Sequence, residues 1–139
     1  MLFRSSTFAA TDEPPYLRFN NDSAANYTAN RLYSNNQIAS AGTTTGATGC
    51  VLARIPAASA VANSFGMMEI TIPGYASTAW LKGALYEGLA ASALSAAGSW
   101  HYSGNSIWNS TAAINRIQIL SSSGGNLLAG SQLRIYGRS

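Results

Sequence analysis

Few residues in this chain could carry out chemistry. There is one histidine, His101, within Ser99-Trp100-His101-Tyr102-Ser103, and one cysteine, Cys50, within Thr48-Gly49-Cys50-Val51-Leu52. A serine nucleophile needs a base beside it, and His101 with any of the many serines is a match by abundance only. Without a second His or Cys there is no metal-ligand spacing to read, so no metal or other cofactor is expected. The carboxylates are Asp12, Glu13, Asp22, Glu69 and Glu87. Glu69 and Glu87 fall on separate predicted strands, as a glycosidase pair requires, but nothing else supports that pairing. Asp12-Glu13 reads as a solvated turn. No phosphate-cradling glycine motif opens a helix. The expectation is a non-enzyme in which His101 packs beside Trp100 and Tyr102, and Cys50 is a small buried hydrophobe.

Composition points the same way. Only 9% of the 139 residues are charged, against about a quarter in an average soluble domain. Ala, Ser, Gly, Asn and Thr take their place. Such a surface suits a chain packed against copies of itself or a partner, since free monomers usually stay soluble through mixed charge; a secreted or simply neutral domain is the alternative. The net charge of +3 comes from arginines spread along the chain. A nucleic-acid binder would show a basic run with interleaved aromatics, and that signal is absent, so no nucleic acid is expected. No apolar run is long enough for a membrane-spanning helix, and the start lacks the basic-then-apolar order of a secretory leader. The length fits a single domain over 1–139 with its own core, residues 1–15 forming an N-terminal arm or edge strand.

The elements that would position these residues are strands. Period-two alternation places successive side chains on opposite faces of a pleat. It appears in Tyr16-Leu17-Arg18-Phe19, in Phe65 to Ile72 (the clearest central strand), in Ala79 to Glu87 and in Ser99 to Ser103. Asn26 to Tyr33 reads as extended and Cys50 to Ile55 as one strand. The closing region predicts a hairpin: Ile114 to Leu120, a turn through Ser121-Ser122-Ser123-Gly124-Gly125-Asn126, then Gln132-Leu133-Arg134-Ile135-Tyr136. Asn20-Asn21-Asp22-Ser23, Pro73-Gly74 and Gly104-Asn105-Ser106 are turn signals. Ile38 to Gly49, built of Ala, Ser, Thr and Gly, reads as a surface loop. Leu89 to Ala97 fits a short helix or a loop. Trp80 and Trp108 are expected in the core or at its rim. Together these give an all-β fold, a jelly-roll-like antiparallel β-sandwich of about eight short strands.

Four pieces carry a resemblance: Leu17-Arg18-Phe19-Asn20-Asn21-Asp22-Ser23-Ala24-Ala25-Asn26-Tyr27; Met68-Glu69-Ile70-Thr71-Ile72-Pro73-Gly74-Tyr75; Gly98-Ser99-Trp100; and Ile114-Asn115-Arg116-Ile117-Gln118-Ile119 with Leu127 to Gly137. Their order resembles small tailed-bacteriophage virion structural proteins of the decoration, head-associated or tail-tip kind. That family ends in a Gly-Ser…Leu-Tyr-Gly strand, and here Ile135 stands where Leu is usual. The resemblance spans Tyr16 to Gly137. It departs at the start, where the family carries another strand or two and this chain has only residues 1–15. Leu2-Phe3-Arg4 supplies that strand, or a neighbouring subunit does.

The resemblance implies a virion protein, most simply a capsid decoration or cement protein on the capsid surface, made in the host cytoplasm. Its partners would be the major capsid protein, other virion proteins and copies of itself, a trimer being favoured. The partner-facing candidates are the outward residues Arg18, Arg116, Arg134 and Tyr136, with the Ile38–Gly49 stretch as an adaptable contact. The alternative is a tail-fibre or baseplate tip binding a host cell-surface glycan through exposed Trp or Tyr, separable by the accessibility of Trp80, Trp100 and Trp108.

Overall fold

Alternating apolar residues make strands, and the strands here pair into two facing layers. A computed structural model describes residues 2–4, 10–35, 38–93 and 98–137. Eleven strands are found among them: β1 (Leu2–Phe3), β2 (Asp12–Glu13), β3 (Pro15–Phe19), β4 (Tyr27–Asn35), β5 (Ile38–Ala47), β6 (Cys50–Val51), β7 (Ile55–Pro56), β8 (Gly66–Thr71), β9 (Lys82–Ala91), β10 (Ser99–Trp108) and β11 (Ile117–Ser121). A six-stranded sheet runs β1-β8-β9-β10-β4-β5, a three-stranded sheet runs β11-β3-β6, and β2 pairs with β7. Every pairing is antiparallel. The chain is an all-β antiparallel sandwich, as the alternation predicts.

The core lies between the two larger sheets. Leu17 and Phe19 from β3 meet Tyr27, Tyr86, Tyr102 and Trp108 from the large sheet, with Cys50, Leu52, Ala53 and Ile55 completing the layer. Phe19 sits 5.6 Å from Trp108, and Tyr27 stacks on Trp108 at 6.3 Å. Tyr27 is fully buried yet satisfied: its Oη accepts the Phe19 N–H at 3.1 Å and donates to the Asp22 carbonyl at 3.2 Å. Loss of hydration on burial pushes its hydroxyl up to about 12.

Several local expectations are corrected. The Ile38–Gly49 stretch is not a loop but supplies β5, held by a backbone ladder to β4 and by Thr43 and Thr44 hydroxyls bonded to Asn30 and Arg31. A strand with its ladder supplied by a neighbour can do without an apolar face. Gly104-Asn105-Ser106 is not a turn; it continues β10. An added Cβ on Gly104 would stand 2.5 Å from the Asn30 carbonyl and 2.6 Å from Tyr86 Oη. Glycine is there for close approach rather than reversal. Cys50 to Ile55 divides into β6 and β7, and β8 lies next to the sheet edge, covered only by the two residues of β1. Part of the Leu89–Ala97 stretch falls in β9, and residues 94–97 lie outside the described residues.

The closing hairpin is also absent. β11 begins at Ile117 and pairs with β3, while the Ile114 N–H bonds the Tyr75 carbonyl at 2.7 Å. After the turn at Gly130 (φ +93°), Leu133 to Gly137 joins no strand.

Candidate functional site

Three groups of residues emerge from this frame. The first is the outer side of the small sheet. β3 alternates, so Leu17 and Phe19 turn inward and Arg18 outward, directly opposite Gln118 of β11. Arg18 Nε donates to the Thr48 carbonyl at 2.7 Å and Nη2 to Thr48 Oγ1 at 3.2 Å. Arg116 is exposed just ahead of β11, and its carbonyl accepts the Asn20 N–H at 2.9 Å. Neither guanidinium forms an ion pair among the described residues. Arg134 and Tyr136 are exposed on the C-terminal segment, and no hydrogen bond or ion pair joins them to Arg18 or Arg116. The four predicted residues are thus outward-facing, but only Arg18 and Arg116 share an element pair.

The second is the outer face of the six-stranded sheet, which sequence reasoning did not single out. Register puts Met67 opposite Leu89 and Glu69 opposite Glu87, with Leu85 and Ile107 farther along and Leu32 on β4. All are solvent-exposed. The two carboxylates repel as directly opposed like charges. His101 is corrected here: alternation along β10 turns it away from Trp100 and Tyr102 and onto this face, where Nε2 lies 3.2 Å from Glu87 Oε1. No lysine or arginine stands among the outward residues of these strands.

The third is aromatic. Tyr33, Trp100 and Tyr102 stack with centroids 5.5 to 6.1 Å apart at one end of the inner face. Arg54 lies 5.6 Å over the Trp100 ring and pairs with Asp12. Trp108 is buried, Trp100 half-buried, and Trp80 is 59% exposed beside exposed Tyr75 and Leu81. Trp80 therefore departs from the core expectation; its indole packs on Gly74, whose φ of +59° suits glycine.

The buried charges serve the frame. Asp12-Glu13 is not a solvated turn: both are buried, and Glu13, at 0% exposure, takes the Ser121 and Ser123 hydroxyls at 2.9 Å each. Lys82, 1% exposed, donates from Nζ to the Trp80 and Thr111 carbonyls at 2.8 and 3.1 Å. Its only sequence signal is its place in the inward set with Ala84 and Tyr86. Arg4 ties down the 60–64 loop through the Ala60, Val61 and Ser64 carbonyls. Cys50 is buried as expected, and burial pushes its thiol up to about 11. Among the described residues no three His, Cys, Asp or Glu side chains converge as a metal site would require. In comparisons with known protein families, curated proteins and solved structures, nothing matches this chain.

Proposed function

We propose that this chain is a non-enzymatic bacteriophage virion protein, a capsid decoration or cement protein that binds the major capsid protein lattice and stabilises the head. It acts as a homo-oligomer, a trimer being favoured, on the capsid surface after synthesis in the host cytoplasm. The observation that carries this reading is the open outer face of the large sheet, where Met67, Leu89, Leu85, Ile107 and Leu32 stand in solvent. Exposed apolar residues gathered on one face mark a contact surface. The arginines of the small sheet lie on the opposite layer, so one copy presents chemically different surfaces to two neighbours. The mechanism is mechanical: many copies bury surface across subunit junctions, and binding the assembled state stabilises it by mass action.

The test is the copy number per purified particle, by quantitative mass spectrometry against the major capsid protein. One copy per capsid subunit, or a simple fraction of that, is expected. A small multiple of the tail's rotational symmetry overturns the capsid reading. It would favour the second reading, a tail-fibre or baseplate tip that binds a host glycan, which draws on exposed Trp80 and Tyr75. In that case Trp80→Ala abolishes cell-surface binding.

A further inference from the structure

The last described segment has the pattern of a strand and no sheet to join. Leu133 and Ile135 alternate with Arg134 and Tyr136, the signature of a half-buried strand. Yet residues 133–137 are exposed throughout, with Ile135 at 70% and Tyr136 at 79%, and none of them belongs to a strand. At the far end of the large sheet, β5 has the converse problem. It is a ten-residue edge with no charge and no proline, bonded to β4 on one side only. Long edges without charge or proline are templates for an incoming strand. The edges at β1 and β6 are two residues long, and that at β11 is five.

We infer that residues 133–137 of one copy add to β5 of a second copy as a seventh strand of its large sheet. Reach requires the second copy. The segment departs beside β1 and β8, where the Leu128 N–H bonds the Arg4 carbonyl and Gly130 lies near Phe65. β5 lies across the whole sheet, five inter-strand spacings of about 4.8 Å each, or roughly 24 Å away. Residues 131–137 extend at most about 24 Å, so crossing to their own β5 leaves nothing to pair along it. Charge fixes the orientation. Arg31 spreads over Gly42 on the inner face of β5, where an added Cβ would stand 3.1 Å from Arg31 Nε. Placing Leu133 and Ile135 on that face sends Arg134 and Tyr136 to the other, which keeps the two cations apart. Donor and acceptor lie at opposite edges, so the contact is head-to-tail and closes into a ring or continues as a filament.

This inference rests on the self-association in the function proposed above and not on the virion. Sedimentation velocity over a concentration series, with hydrogen exchange of β5 amides, tests it on the full chain and two variants. The full chain is expected to assemble as concentration rises, with β5 exchange slowing in step. Ile135→Pro removes an N–H and fixes φ at a position that is 70% exposed and belongs to no strand of its own chain. It is expected to abolish assembly while leaving the dilute monomer's Tm unchanged. Ala41→Lys charges the acceptor edge and is expected to abolish assembly from the other side. Mixing the two variants should restore one junction and yield dimers only. A full chain that stays monomeric overturns the inference. So does undiminished assembly of Ile135→Pro, and so does loss in Ala41→Lys alone, which would mean that β5 pairs with itself. A failed copy-number test leaves these outcomes untouched, and the reverse also holds.

Discussion

Asp22 holds one end of the sandwich together. Its carboxylate accepts the Trp108 indole N–H at 2.6 Å, the Asn26 amide at 2.9 Å and the Ala24 N–H at 2.9 Å. The Asn26 bond first and the Trp108 bond second hold its carboxyl below the ordinary aspartate value. A group whose folded pKa is depressed stabilises fully above its unfolded pKa, about 3.9. That contribution is lost as pH falls through the lower folded value. Urea unfolding from pH 7 down to pH 2 should therefore show stability falling below about pH 4. Asp22→Ala should lose about 1–2 kcal/mol at pH 7 and flatten that fall; an unchanged acid limb would refute the role. The local turn at Asn20-Asn21 is legible in the sequence, and both residues adopt positive φ, 51° and 61°. That Asp22 reaches Trp108 is not legible, because nothing local marks a partner 86 residues away. Glu13 and His101 mislead for the same reason. Polarity suggested water for one and aromatic neighbours suggested burial for the other, whereas strand parity and the facing layer decide both.

At the level of the strand, glycines separate packing from permissiveness. Gly104 and Gly83 both lie inside strands of the large sheet. A Cβ on Gly104 meets a backbone carbonyl at 2.5 Å, whereas one on Gly83 meets nothing closer than the Ser106 carbonyl at 3.7 Å. Gly104→Ala should thus cost about 1–3 kcal/mol by overpacking, on the order of 3–10 °C in Tm. Gly83→Ala should be neutral or stabilising through reduced chain entropy. Calorimetry of the pair checks this, and equal midpoints would sink it. The sequence shows that β3, β8 and β9 have two faces each, and for β3 it also shows which face is inside, because Leu17 and Phe19 share one face and Arg18 lies on the other. For β9 it misleads: Leu85 and Leu89 look like core, yet the buried set is Lys82, Ala84, Tyr86, Gly88 and Ala90. The facing layer wants small residues there, since a Cβ on Gly88 would stand 2.8 Å from the Ala53 Cβ. β5 was missed because its stability comes from backbone pairing, which leaves no hydrophobic trace.

For the molecule as a whole, Cys50 reports on global opening. It lies at the centre of the sandwich with its thiol pushed up to about 11. At pH 8 the native thiolate is scarce, by roughly a hundredfold against an ordinary cysteine, and shielded as well. Labelling with an aromatic disulfide should therefore follow the unfolding rate and accelerate with urea. Fast labelling without denaturant would contradict the closed core. The all-β class was legible because it depends on the sum of many alternations. The division into six, three and two strands was not, because it depends on which distant strands meet.

One such meeting governs how the chain comes into being. β3 finds its ladder on β11, with Phe19 opposite Ile117. On the ribosome, Leu17 and Phe19 emerge about a hundred residues before the strand that flanks them. At about 5–20 residues per second, that is a wait of roughly 5–20 s. Through that interval an apolar strand stands ready with an unfilled edge. β6 can fill the other side of β3 early, but the side that takes β11 stays open to wrong pairing until Ile117–Ser121 has emerged.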